Sequence, residues 1–280
     1  MASRPSEAWL ALGVVAMRNG HVNLFCKIMA VLTMVFLLAP LVVIVLASFT
    51  PTQVVTFPPK GFSLDWYANA FKPSNHFVSG LVDSLKVGIS ATLVDIVLGV
   101  TGAICVTRFD FPGKRALLGF FTSPMYVPSV TFAFVLLQIY SQIGGISGFF
   151  RVLMGHLVII LPYIVRNTVS ILHTFDWILE DAAASLGASP IKVATKVTLP
   201  LIRPGIVAGA VLAFLYSFDE VALTSLLSTP RFVTLPIRLM NYIELTFDPT
   251  LAAVSTLLIA ASLAIIILMD KTIGLDMFLK

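Results

Sequence analysis

Charge is what this sequence has least of. Only 11% of its residues are Asp, Glu, Lys or Arg, whereas 58% are hydrophobic, and the mean hydropathy is +0.98. A chain so poor in charge has too little polar surface to face water on all sides, which excludes an ordinary soluble domain. Its 2 cysteines, Cys26 and Cys105, lie at or within apolar runs without paired spacing, so neither a disulfide framework nor a metal site is expected. No Gly-x-x-x-x-Gly-Lys-Ser/Thr run occurs, so the chain has no phosphate loop with which to cradle ATP. His-Glu-x-x-His is missing too, and with it the zinc peptidase pattern. Gly145-Ile146-Ser147-Gly148 matches an intramembrane serine protease string, but such a serine needs a histidine base on a later helix, and His173 is the last histidine. No catalytic residue is assigned. The excess of 18 Lys and Arg over 14 Asp and Glu is modest. Membrane topology accounts for it, and no nucleic-acid partner is read into it.

What the sequence has instead is long apolar runs, each near the roughly 20 residues needed to cross a bilayer. Six spans are expected: Ile28 to Phe49, Leu85 to Thr107, Ala116 to Tyr140, Val152 to Leu172, Gly205 to Leu227 and Leu251 to Met269. Pro124, Pro128 and Pro162 fall within the third and fourth, where neighbouring helices must satisfy the freed carbonyls. Basic residues cluster in the N-terminal tail (Arg4, Arg18, Lys27), after the second span (Arg108, Lys114, Arg115) and after the fourth (Lys192, Lys196, Arg203). The positive-inside rule puts these segments and both termini in the cytoplasm. The first span is too long for a secretory h-region and is read as an uncleaved anchor. The fold class is therefore an all-α membrane protein with six transmembrane helices.

One cytoplasmic stretch is patterned and mostly polar: "ILEDAAASLGASPIKVATKVTLPLIRPG", from Ile178 to Gly205. Asp176 can cap a short helix whose first turn carries Glu180 and Asp181, the charge that the helix dipole favours there. Leu179, Ala182, Ala183 and Leu186 then share one face. Gly187 suits a left-handed helix end, Ser189 the next cap and Pro190 its first position. A second helix is expected from Ile191 until Leu199-Pro200 turns the chain back to the membrane. The result is a helix, glycine turn, helix projection with a small-residue surface. An amphipathic loop lying on lipid headgroups would give the same pattern.

Here the sequence resembles the integral membrane permeases of binding-protein-dependent ABC importers. Their signature is Glu-Ala-Ala, three residues, Gly, nine residues, then Ile-x-Leu-Pro. In this chain it reads Asp181-Ala182-Ala183, Gly187, then Val197-Thr198-Leu199-Pro200 at the same spacing, with Asp for Glu and Val for Ile. "PPKGFSLDWYANAF", "SFDEVALTSLLS" and "LPIRLMNYIELTFDPTLAAVSTLLI" resemble the spermidine/putrescine branch, so the likeness runs from about Lys27 onward. It implies a cytoplasmic extension over 1–27, a permease domain over 28–280 and a coupling-helix pair within 174–204. It implies docking on a cytosolic ATPase dimer through Asp181, Ala182, Ala183, Gly187, Pro190, Leu199 and Pro200. It also implies a periplasmic binding protein, a second permease subunit of different sequence, contact with membrane lipid and a bacterial inner-membrane location. The chain itself would bind no cofactor; ATP and Mg would be used by the partner ATPase.

Ionisable groups inside spans are costly and are candidates for a transport path. Asp95 lies in the second span, and Asp219 and Glu220 in the fifth beside Tyr216 and Phe218. Acids and aromatic faces together suit an organic cation. The structural alternatives are that Asp95 pairs with a Ser or Thr of a neighbouring helix and that Asp219 and Glu220 cap a helix end. Arg166, near the inner end of the fourth span, is read as snorkelling. Gly205, Gly209, Ala213 and Ser217 recur every fourth residue and mark a packing seam. A secondary transporter or channel is the rival reading; it leaves the cytoplasmic helix pair without a role.

Overall fold

The computed structural model describes residues 20–54, 58–246 and 248–273, with side chains from Leu24 to Ala264 within those stretches. Among them the regular structure is helical, apart from an isolated bridge between Thr229 and Phe232. In chain order the helices are α1 (Gly20–Ala47), α2 (Asp65–Ala70), α3 (Phe77–Arg108), α4 (Lys114–Thr122), α5 (Ser129–Ile143) and α6 (Gly148–Leu172). They continue with α7 (Ile178–Ser185), α8 (Pro190–Val193), α9 (Leu199–Asp219), α10 (Ala222–Leu227), α11 (Leu235–Leu245) and α12 (Thr250–Ile273).

These residues form two compact units. The first comprises α1, α2 and most of α12. Trp66 donates its indole N–H to the Thr50 carbonyl at 2.7 Å, and Ser48 and Tyr67 share a hydroxyl hydrogen bond at 2.7 Å. Asn69 reaches the Thr250 hydroxyl at 2.8 Å, which fixes α2 to the start of α12. The extension expected over 1–27 lies outside the described residues as far as 19, and its remainder is already α1.

The second unit is the packed body, α3 to α11. Helices α3, α6 and α9 lie against one another because glycines remove the side chains that would hold them apart. A Cβ on Gly99 of α3 would lie 2.8 Å from Ile164 of α6, and one on Gly209 of α9 would lie 2.9 Å from the Ile164 Cα. Gly88 of α3 meets Phe214 of α9 in the same way. The predicted small-residue seam is therefore within the chain: Gly205, Gly209, Ala213 and Ser217 are all buried, and the first two face α6. Such approach maximises dispersion contact where no hydrophobic effect drives helices together. Ser147, the serine of the protease-like string, accepts from the Phe150 amide and caps α6.

Three expectations need correction. The third span is not one straight helix: Lys114–Tyr126 and Ser129–Ile143 are bent by 99° to each other. Pro124 and Pro128 supply the reason, since each lacks an amide hydrogen and Pro128 disfavours α geometry at Val127, which is extended. The fifth span does not run from Gly205 to Leu227. It begins earlier, ends at Asp219, and breaks at Glu220 before the separate short α10. Finally, the chain does not turn at Leu199-Pro200. Residues 190–193 pass through a π-helical stretch, Ala194–Thr198, straight into α9. The wider π turn absorbs the missing amide hydrogen and ring bulk of Pro200, which would otherwise strain the preceding turn. Among the described residues four helices are long and apolar enough to cross a membrane, and the bent pair makes a fifth if counted as one span; Thr250–Ala264 is apolar but shorter.

Candidate functional site

The polar stretch folds much as its local chemistry dictates. The Asp176 carboxylate accepts from the Ile178 amide at 3.0 Å and fixes the start of α7. Gly187 ends it at φ +84°, with nothing within 4 Å of the position a Cβ would take. The amides of Gly187 and Ala188 donate back to Ala184 and Ala183 at 2.9 and 3.1 Å, which closes the helix end. Ser189 departs from expectation: its backbone is extended as a cap should be, but its side chain makes no cap bond. Pro190 occupies the first turn, where a missing N–H leaves nothing unsatisfied.

The projection presents its apolar side chains outward. Leu186 is 89% exposed and Ile191 76%, on either side of Gly187. Asp181, Ala182, Gly187, Pro190, Leu199 and Pro200 are exposed and Ala183 is half-buried. Leu186 and Ile191 thus form an exposed apolar patch on either side of a glycine that offers no side chain.

The two acids of the first turn have opposite fates. Asp181 points outward, but Glu180 is 3% exposed. Glu180 accepts from the Thr198 hydroxyl at the end of the π stretch and pairs with Arg108 at the end of α3. The Arg108 guanidinium lies 5.3 Å from the centroid of Trp177, whose ring packs edge-on against Phe175 at 4.8 Å. Charge counting along the sequence treated Glu180 only as a helix-dipole acid; the one available hint was Arg108, closing a span of opposite sign.

The residues singled out as a transport path also separate. Asp95 is fully buried in α3, and among the described residues neither carboxylate oxygen has a hydrogen-bond partner, so the alternative of a Ser or Thr pairing is not seen. Glu220 is buried at the α9–α10 break; its Oε1 accepts from the Leu223 amide at 2.8 Å and from Ser129 of α5 at 3.0 Å. Glu220 thus caps the start of α10 from a buried position, whereas the structural alternative has both acids capping the end of the fifth span. Asp219 and Tyr216 are exposed, one turn apart on α9. Tyr216 packs on Tyr163 of α6 with ring centroids 5.0 Å apart. Next to this pair is a hollow of about 330 Å³ lined by Met125, Tyr163, Arg166, Asn167, Ser170 and Leu212. Arg166 does not bury itself; its guanidinium contacts the Met125 sulfur at 3.7 Å. Sequence reasoning also missed His156, buried in α6, which joins Ser217 at 2.7 Å and Thr224 at 2.9 Å and so bridges the α9–α10 break.

A family described as binding-protein-dependent transport system inner membrane component matches residues 95–272, more than half of the chain. The chain belongs to this family. It is thus a permease of a transport system, a multi-pass protein of the inner membrane rather than an enzyme. Among its relatives, a spermidine/putrescine transport system permease, PotC of Haemophilus influenzae, is 32% identical over 83% of this chain and 90% of its own length. The putrescine permease PotI of Escherichia coli is 29% identical over 81% and 82%. The trehalose permease SugB of Mycobacterium tuberculosis is 30% identical over 74% and 77%. In fold, the chain is similar to a bacterial ABC transporter that imports the acidic polysaccharide alginate, with a TM-score of 0.67, 14% identity, and coverage of 91% and 98% of the two chains.

Proposed function

We propose that this permease carries a polyamine-class organic cation, delivered by a periplasmic binding protein, and is driven by a cytosolic ATPase dimer docked on the α7–Gly187–α8 projection. The observation that carries the docking role is the bare apolar surface of Leu186 and Ile191 around Gly187. A loop lying on lipid would share that apolarity, but it would not need Gly187 bare of any side chain contact or the motif spacing from Asp181 to Pro200. The chain has no phosphate loop of its own, so the ATP that drives this transport is hydrolysed by the partner. ATP and Mg belong to the partner, whose closed and open states must bind the two permease arrangements unequally to shift them.

The substrate class rests on relatives named for spermidine and putrescine and on Asp219, exposed one turn along α9 from Tyr216, whose ring packs on Tyr163. A carboxylate and two ring faces are the groups an ammonium requires. A second permease subunit, of different sequence, completes the path, with six spans and both termini cytoplasmic in this one. The test is uptake by the reconstituted transporter with its binding protein. Radiolabelled putrescine or spermidine is expected to accumulate only with ATP and to be resisted by excess unlabelled polyamine but not by trehalose. Accumulation of trehalose instead would replace the substrate class and leave the permease intact.

A further inference from the structure

Glu180 is a buried carboxylate that joins three elements at once: α7, on which it sits; the π stretch, through Thr198; and α3, through Arg108. Only the carboxylate is buried, since the Arg108 side chain is 38% exposed, so losing the arginine would leave the Glu180 charge stranded inside the protein. The use of the pair is to specify one arrangement. Arg108 is held on its other side by the Trp177 ring, one residue ahead of α7. Arg108 is also the basic residue of the last turn of α3, where the helix dipole favours a cation. The docking helix is therefore fastened to the end of α3, a helix that is not its neighbour in the chain.

Helix α3 is a continuous rod of 32 residues, about 48 Å at 1.5 Å per residue. No proline interrupts it. Its far end is also pinned: the Leu235 amide donates to Ser84 Oγ at 2.9 Å, and a Cβ on Gly80 would lie 3.1 Å from the Leu235 Cα and 2.9 Å from the Arg238 side chain. Both contacts belong to α11. In contrast, α9, the helix that leaves the projection directly, breaks at Glu220.

We propose that the Glu180–Arg108 pair fastens the docking helix to α3, so that α3 carries a displacement of the projection to α11 at the opposite end of the unit. Glu180 is a positioning residue, and this role rests on the docking reading of the projection. Asp181 faces the partner; Glu180 faces the chain's own machinery.

The experiment uses the complete transporter with its partner subunits in proteoliposomes, in a Cys26→Ser, Cys105→Ser background. Glu180→Gln and Arg108→Ala are expected to insert, retain the ATPase subunits and hydrolyse ATP, while solute moved per ATP falls at least tenfold. Arg108→Cys with Glu180→Cys should show the same defect. Joining those two thiols with a short bis-maleimide should restore transport to within about threefold of the parent, which a general packing role would not predict. An unchanged solute-to-ATP ratio in Glu180→Gln overturns the proposal. So does loss of the ATPase subunits from that variant, which would place Glu180 in the docking contact itself, or failure of the cross-link to restore transport. If the single variants fail to insert, the cross-linked pair decides alone. Gly187→Val tests the underlying reading separately: if it retains both ATPase binding and uptake, docking at the projection is wrong whatever Glu180 does.

Discussion

Small residues line two helical surfaces in this protein and meet opposite fates. On α9, Gly205, Gly209, Ala213 and Ser217 are buried, and the space left at the two glycines is filled by α6. On the projection, Ala182 and Gly187 are exposed, and among the described residues nothing lies within 4 Å of the position of a Cβ on Gly187. The same chemistry, removal of bulk so that a backbone can come near, serves an internal seam in one place and, in the proposed docking, an external partner in the other. Periodicity alone cannot tell these apart. Flanking composition can: the seam lies among apolar residues, whereas the projection is interrupted by Asp181, Lys192 and Lys196.

The comparison is broken most severely at the seam. Gly209→Leu would drive atoms into the Ile164 backbone and the Tyr163 carbonyl, and is expected to cost about 3 kcal/mol or more and abolish folded, inserted protein. Thermal unfolding in detergent and recovery of protein in the membrane check this. At the projection, Gly187→Val meets no steric neighbour but puts a β-branched residue at φ +84°. It should insert normally, lose ATPase binding and reduce ATP-driven uptake by more than tenfold. If both variants fail at the same stage, the distinction between inner seam and outer surface disappears.

A smaller effect separates the two adjacent acids of the α9 break. Asp219→Asn is expected to raise the KM for a cationic solute several-fold with stability unchanged. Glu220→Gln should instead lower stability by about 1 kcal/mol, because the Leu223 amide and Ser129 hydroxyl lose a charged acceptor. Uptake kinetics and unfolding measured on both variants would reverse these assignments if the effects exchanged places. The smallest effect is at Asp110, fully exposed between α3 and α4. The hydrogen bond and positive charge of Lys114 hold its carboxyl below the usual range. A lowered value means the contribution is present above the ordinary carboxylate range and lost as pH falls through the lowered one. Solvent screening makes it slight, so Asp110→Asn should match the parent in unfolding temperature within error at neutral pH, and at acid pH as well.

What could be read from the sequence was local or periodic. Asp176, Gly187 and Pro190 act through their own backbone or a near neighbour, and all three stand where their chemistry put them. The α9 stripe was legible because its spacing repeats each turn. The bend at Pro124 to Pro128 had its cause in view, but hydropathy averages over a kink. The pairing of Glu180 with Arg108 joins positions 72 residues apart along the chain. Nothing local distinguishes Glu180 from Asp181 until the fold turns one inward. The same holds for His156, which finds Ser217 and Thr224 only because α6 and α9 are packed together.

The most direct test of the docking surface is chemical protection at Ala182, exposed on α7, in a chain whose Cys26 and Cys105 have been replaced by serine. An impermeant maleimide is applied to Ala182→Cys in vesicles of known sidedness, with and without the ATPase subunits. The account predicts labelling from the cytoplasmic side only, reduced at least tenfold when the ATPase is bound. Labelling from the opposite side, or equal labelling with and without the ATPase, would contradict it.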